Sequence, residues 1–586
     1  MTADATLLRV RDLSVAIGDS TILDRVSLAL DGGQVAALVG ASGSGKSMLA
    51  KAILRLLPKA ARVTTGDILF DGQPVAAMDT AALQRWRGRA AGLIFQDALS
   101  ALNPAFTAGE QLREAQRLHF GRSRRAADAA SVAMLDRLQV PRPDAALGKY
   151  PHQFSGGLRQ RILIASILLL DPRLIIADEP TTALDTLVQK ETLDLFLDTA
   201  RAIGSAVLLV SHDLGLVYRY ASAVHVIRHG RIVEHGAVDT VFARPGHDAT
   251  RRLIEAAPSL QARAAPPVAP SPPVLRLADL HVRYRERARA PWSPQHYWHA
   301  VDGVSLQVRP GEIVAVIGGS GAGKTSIGRA LLGLCEDATG AATVGGDTVD
   351  LSAKADRTRL RQRIKMVFQD PYASMDPRQT VRRCIAEGLA PDDRTAGGAL
   401  TEKVAHMLDL CGLPADYLGR YPHQLSGGER QRVCLARALI CAPDCIIADE
   451  PVSALDLSVQ ARILDLFDDL RRRMALSQIF ISHDLGVVQR LADYVLVMKQ
   501  GRVVEEGATR AVFEDARHPY THRLLAAYPR IANQDGAYRL IEHSPAAAAP
   551  PDGHAGFWHG RDRHRADDYV LAPVGEAHKV ACLARR

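Results

Sequence analysis

The segments Gly40-Ala41-Ser42-Gly43-Ser44-Gly45-Lys46-Ser47 and Gly318-Gly319-Ser320-Gly321-Ala322-Gly323-Lys324-Thr325 both satisfy G-x-x-x-x-G-K-[ST]. A chain that carries this pattern twice is confined to folds with a strand, a tight loop and a helix in succession, repeated. Each segment follows an apolar run, residues 35–39 and 313–317, that reads as a buried strand, and each opens a stretch that reads as a helix. The glycines let backbone N–H groups curl around a polyphosphate at a helix N-terminus, where the helix dipole favours negative charge. The candidate phosphate-binding residues are therefore Gly40, Ser42, Gly43, Gly45 and Lys46, and in the second loop Gly318, Ser320, Gly321, Gly323 and Lys324. The two lysines are placed to reach β- and γ-phosphates, and the hydroxyls of Ser47 and Thr325 suit a Mg²⁺ ion.

At 586 residues the chain is too long for one hydrophobic core and suits two large domains. It contains no run of about 18 apolar residues, so no transmembrane helix is expected. The first residues lack the basic-then-apolar pattern of a secretory signal, which points to the cytoplasm. The seven cysteines all lie in the second half without a C-x-x-C pair, so buried structural thiols are expected rather than a disulfide framework. Net charge is +8, but Lys and Arg are spread along the chain and nominate neither nucleic acid nor an anionic surface as a partner.

The landmarks after the two loops recur in order. Phe95-Gln96-Asp97, Ser155-Gly156-Gly157, Asp178-Glu179-Pro180, Ala183-Leu184-Asp185 and Ser211-His212-Asp213 are answered by Phe368-Gln369-Asp370, Ser426-Gly427-Gly428, Asp449-Glu450-Pro451, Ala454-Leu455-Asp456 and Ser482-His483-Asp484. Ser155 to Asp178 and Ser426 to Asp449 are both 23 positions; Asp178 to His212 and Asp449 to His483 are both 34. The chain is an internal duplication. Both halves resemble the nucleotide-binding domains of ATP-binding-cassette (ABC) proteins, over residues 5–257 and 275–530, and the S-G-G signature separates that family from other phosphate-loop ATPases. Residues 258–274 read as a Pro/Ala-rich extended linker, and residues 531–586 as a weakly ordered extension.

The resemblance implies an α/β fold of two tandem domains, each with a RecA-like core, an antiparallel β portion and a helical signature subdomain. It implies Mg²⁺ coordination by Ser47, Gln96 and Asp178, and by Thr325, Gln369 and Asp449. Glu179 and Glu450 are implied to polarise the attacking water, with His212 and His483 at the γ-phosphate. It also implies composite sites, in which Ser155, Gly156 and Gly157 close over ATP held by the second half, and Ser426, Gly427 and Gly428 over ATP held by the first. Two departures stand out. The first signature reads F-S-G-G-L rather than L-S-G-G-Q. The adenine-stacking aromatic is missing from the first half, where Ile17 takes the expected place, while Tyr284 is the best candidate in the second, with Tyr297 and Trp298 as rivals. Weaker nucleotide binding is therefore expected at the first phosphate loop.

Narrower features resemble the dipeptide/oligopeptide/nickel importer branch, which includes single-chain fusions of its two ATPase subunits. These are Ser100-Ala101-Leu102-Asn103-Pro104, Asp370-Pro371-Tyr372-Ala373-Ser374-Met375-Asp376-Pro377 and Arg517-His518-Pro519-Tyr520-Thr521, the last with a faded counterpart at Gly246-His247-Asp248-Ala249-Thr250. Of the cysteine cluster that many relatives carry, only Cys582 matches, so no iron–sulfur cluster is expected. The branch implies an ATPase on the cytoplasmic face of the inner membrane, two integral-membrane permease subunits and an extracytoplasmic solute-binding protein. Di- or oligopeptides, nickel or glutathione-like peptides are the implied cargo. No nucleic-acid partner is expected. The alternative is a soluble tandem ABC ATPase, such as a phosphonate-metabolism accessory protein or a translation factor.

Overall fold

The computed structural model describes the chain except residues 1–5, 42, 182–183, 257–270, 286–294, 296, 391–392, 394–397, 454, 456, 535–536, 542–549, 552–553, 561–568, 576 and 584–586. Ser42, Ala183, Ala454, Asp456 and nearly all of the expected linker thus lie outside the described residues. The chain divides into two units: Met1–Ala257 with Tyr528–Glu542, and Pro258–Ala527 with His543–Arg586.

In the first unit the strand Val35–Val39 is buried at every position. An apolar run without alternation needs cover on both faces, which a parallel sheet between helices supplies. It lies in a six-stranded sheet in the order Arg231–Ala237, Ala223–Arg228, Val35–Val39, Ala206–Ser211, Leu174–Asp178, Ala91–Ile94. Only the pair Ala223–Arg228 and Arg231–Ala237 is antiparallel. A second, antiparallel sheet of Ser20–Asp31, Thr6–Ile17, Ala61–Phe70 and Gln73–Pro74 packs its apolar face on Leu49 and Ile53 of the helix Lys46–Ile53. A helical portion follows, with Ala108–Phe120 started by a capping box between Thr107 and Glu110, then Arg124–Arg137 and Gly156–Leu168. Leu112, Leu135, Leu163 and Ile164 join it to the other face of the parallel sheet through Ile175 and Leu209.

The second unit repeats this plan and extends it. Its main sheet has eight strands, ordered Ile364–Val367, Cys445–Asp449, Ser477–Ile481, Ile313–Gly318, Tyr494–Lys499, Arg502–Ala508, His578–Leu583, Tyr569–Gly575. The last two belong to the segment read as weakly ordered, and here the structure corrects the sequence reading. The Ala/Pro-rich stretch 546–551 and the His/Arg-rich stretch 559–565 that prompted that reading lie mostly outside the described residues. Between and after them, Val580, Ala581, Cys582 and Trp558 are fully buried. A buried side chain of Val or Leu size contributes roughly 1.5–3 kcal/mol, which is enough to hold a short hairpin on a receptive edge. That edge, Arg502–Ala508, is buried along most of its length, whereas its counterpart Arg231–Ala237 in the first unit is half exposed. A second correction concerns the hairpin of Arg530–Gln534 and Ala537–Ile541, which belongs to the first unit, where Ile531 and Tyr538 pack near Phe242 and Val217.

Candidate functional site

Both phosphate loops stand where a central buried strand ends and a helix begins, at the carboxyl edge of a parallel sheet with reversed strand order, the position where open α/β sheets bind ligands. Lys46 Nζ donates to the carbonyls of Gly40 (2.8 Å) and Ala41 (3.0 Å), and Lys324 Nζ to those of Gly318 (2.8 Å) and Gly319 (3.0 Å). Each ammonium is thus folded over its own loop. Glycine is obligatory at two matched places: Gly45 and Gly323 have φ of 106° and 101°, and a Cβ on Gly323 would lie 2.1 Å from the Ala300 carbonyl oxygen.

The carboxylates come next. Asp178 and Asp449 end the strands Leu174–Asp178 and Cys445–Asp449, pointing at the hydroxyls that close the loops. Thr325 Oγ1 donates to Asp449 Oδ1 at 3.1 Å, and Ser47 is hydrogen-bonded to Asp178. Burial pushes Asp449 up to about 6, with the neighbouring Glu450 adding to the rise; the same causes raise Asp178. A desolvated carboxylate touching a hydroxyl, beside a second carboxylate, is a donor set for a hard cation, and these residues fit Mg²⁺.

The following glutamates hold a conformation that a non-glycine residue seldom adopts. Glu179 and Glu450 both have φ of 47°, fixed by a backbone N–H bond to Val210 and Ile481 respectively, each 2.9 Å. Strain of this kind, of order 1–3 kcal/mol, persists where the surroundings over-determine it. The twist sets each carboxylate between two partners. Gln96 Nε2 donates to Glu179 at 2.8 Å while His212 Nδ1 lies 3.0 Å from its other oxygen. In the second unit Gln369 Nε2 donates to Glu450 at 2.7 Å and His483 Nδ1 lies at 3.0 Å. Burial alone pushes both imidazoles down, but the adjacent glutamate outweighs it and holds His212 and His483 above their ordinary value. The strands Ala206–Ser211 and Ser477–Ile481 end beside the phosphate-loop strands and deliver these histidines.

The structure therefore brings Lys46, Ser47, Gln96, Asp178, Glu179 and His212 into one site, and Lys324, Thr325, Gln369, Asp449, Glu450 and His483 into its duplicate. The signature residues stand elsewhere in each unit, at the head of Gly156–Leu168 and Gly427–Leu439. A Cβ on Gly157 or Gly428 would sit 2.4 Å from Val188 or Val459, so these glycines are needed for helix packing. Ser426 and Glu429 form a capping box; Ser155, with Leu158 in place of the glutamate, makes no such bond.

Tyr284 is half-buried near the end of Leu275–Arg285, its hydroxyl 3.3 Å from Ser326 Oγ and its ring stacked on Trp298 at 6.0 Å. Ile17 ends the equivalent strand Thr6–Ile17. A cavity of about 810 Å³ runs from Thr325, Gln369 and Asp449 to Ser374, Glu387 and Arg437 of the helical portion. Burial raises the thiols above their ordinary value, and Cys582, fully buried, is pushed up to about 11. One contact escaped the sequence reading. Tyr520, noted there only as part of a family marker, accepts a hydrogen bond from the Gly319 N–H at 2.9 Å.

Residues 23–182 and 301–453 match the family described as ABC transporter, and residues 504–557 match the oligopeptide/dipeptide transporter C-terminal region. The glutathione import ATP-binding protein GsiA of Salmonella typhimurium strain LT2 is 41% identical over 534 residues, covering 86% of each chain. Its namesake from Escherichia coli strain K12 is 39% identical over 557 residues, covering 89% of each. A solved ATP-binding cassette, MJ0796 bound to ADP and Pi, aligns with a TM-score of 0.36 at 24% identity, covering 39% of this chain and 98% of its own. Among the described residues no helix is long and apolar enough to cross a membrane. The chain belongs to the ATP-hydrolysing ABC transporter proteins, as a tandem member carrying the oligopeptide/dipeptide transporter C-terminal region.

Proposed function

We propose that this chain is the ATP-hydrolysing motor subunit of an importer for small peptides or glutathione-like compounds, working from the cytoplasmic face of the inner membrane on two integral-membrane permeases that receive cargo from a solute-binding protein. The observation that carries the reading is the alignment of 86% of the chain with a glutathione import ATP-binding protein, beside the match of residues 504–557 to the oligopeptide/dipeptide transporter C-terminal region.

In each site the phosphate-loop N–H groups and lysine hold the β- and γ-phosphates. Ser47, Gln96 and Asp178, or Thr325, Gln369 and Asp449, would hold Mg²⁺, which when bound neutralises charge on the phosphates. Glu179 and Glu450 orient the attacking water, and their glutamine and histidine partners keep the carboxylates aimed. His212 and His483, held protonated more readily by those carboxylates, stabilise charge at the γ-phosphate. Phosphoryl transfer needs little covalent help, so this positioning and charge carry the rate. The signature serine and glycines of the opposite half complete each cage, which makes ATP bind more tightly to the closed pair than to the open one. That differential affinity is the energy available to reorient the permeases. The cavity lined by Gln369, Ser374 and Arg437 supports the reading as a groove that a permease helix would enter.

Purification of the tagged chain from detergent-solubilised native membranes, followed by mass spectrometry, tests the proposal. Two multi-span proteins in comparable amounts are the expected result. Ribosomes, or soluble enzymes alone, would sink the importer reading.

A further inference from the structure

The peptide unit joining Gly318 to Gly319 is gripped from both ends. Its carbonyl accepts from Lys324 Nζ at 2.8 Å, and its N–H donates to the Tyr520 hydroxyl at 2.9 Å. Tyr520 is almost fully buried and stands in the first turn of the helix Pro519–Ala527. Its position is set by a chain of bonds that leads away from the phosphate loop. The Tyr520 N–H donates to His518 Nδ1 at 3.0 Å, so the imidazole proton is on Nε2, which donates to the Trp558 carbonyl at 2.9 Å. The backbone N–H groups of Arg517 and His518 donate to Glu505 at 2.7 and 3.0 Å, and His578 Nε2 lies 2.9 Å from the same buried carboxylate. Lys499 sits 5.2 Å over the Tyr520 ring and donates to the His559 carbonyl at 2.5 Å. Trp558, His559 and His578 all come from the C-terminal extension.

The first unit has the same scaffold without the last link. Glu234 accepts from the N–H groups of Gly246 and His247, and His247 Nδ1 accepts from the Ala249 N–H at 3.0 Å. At the position of Tyr520 stands Ala249, which has no hydroxyl to offer a phosphate loop. We infer that Tyr520 is a positioning residue for the second ATP site, acting through the Gly318–Gly319 peptide on Lys324, and that the C-terminal extension holds it in place. The inference rests on the proposed nucleotide site at the second loop. To meet a phosphate, Lys324 shifts its ammonium from the loop carbonyls, and a peptide clamped by Tyr520 keeps the loop in shape while it does so. Without the hydroxyl, the peptide is free to rock and the lysine is less well aimed.

The test is titration of the full chain with a fluorescent ATP analogue. In a Lys46→Ala background, which silences the first loop, Tyr520→Phe keeps the buried ring and removes only the hydroxyl. The Kd is expected to rise about three- to tenfold, up to the effect of one net hydrogen bond, while the melting temperature falls slightly because the Gly319 N–H loses its acceptor. In a Lys324→Ala background, which leaves only the first loop, the same substitution is expected to leave the Kd unchanged while lowering the melting temperature by the same small amount. An unchanged Kd in the first background, or an equal rise in both, overturns the role assigned to Tyr520. Undiminished binding by the Lys46→Ala/Lys324→Ala chain overturns the site assignment on which it rests.

Discussion

His225 and Leu496 occupy the same place in the two units, on the strands Ala223–Arg228 and Tyr494–Lys499, and both are buried. The leucine has no charge to desolvate, but the histidine does. Burial, aided by the stacked ring of His235, pulls His225 down to about 4. An unfolded histidine titrates near 6.5, so the unfolded chain binds the extra proton first as pH falls. Stability from this group is intact above about pH 6.5 and is lost as pH drops through the folded value. The loss is about 3 kcal/mol by pH 4. His225→Leu is therefore expected to flatten the fall in melting temperature of the first unit between pH 6.5 and 4 relative to the parent chain, and parallel curves would contradict this. At this scale the candidate sites were the most legible part of the sequence. The phosphate-loop lysines, the Asp-Glu pairs and the histidines each come with fixed spacing and a strand end. What the sequence hid was pairing across distance. Nothing in a linear reading places Gln96 against Glu179 or Tyr520 against Gly319, because those contacts arise only when separate strands and helices pack.

The two signature helices differ where the sequence reading flagged a variant. Gly427–Leu439 begins with a capping box, Ser426 N–H donating to Glu429 at 2.7 Å, and Gly156–Leu168 lacks one because Leu158 replaces the glutamate. Caps of this type contribute about 1 kcal/mol. Glu429→Leu should cost the second unit roughly that much in chemical denaturation, and a loss under a few tenths of a kcal/mol would show the box to be idle. Helix and strand types were readable from the apolar runs and periodic stretches that bracket the motifs. The C-terminal hairpin was not, since its apolar pairs are short and separated by composition-biased stretches. Its strand character comes from the edge it meets. Arg502–Ala508 presents Glu505 and Glu506, and His578 and Lys579 answer them.

Across the whole molecule, duplication is the organising fact, and asymmetry is laid over it. Among the described residues, the second loop has Tyr520 behind its backbone where the first unit has Ala249, Tyr284 lies near the end of Leu275–Arg285 where the first unit has Ile17, and the second signature helix has the capping box that the first lacks. We propose that each ATP is shared between halves, the loop of one with the signature of the other. Hydrolysis by two double variants tests it. Lys46→Ala with Ser426→Arg places both lesions in one proposed site, and Lys46→Ala with Ser155→Arg divides them between the two. The account predicts that the first pair retains the activity of Lys46→Ala alone while the second loses about 10²-fold or more, as expected when positioned catalytic groups are removed. The reverse ordering would mean that each half completes its own site and would contradict the account.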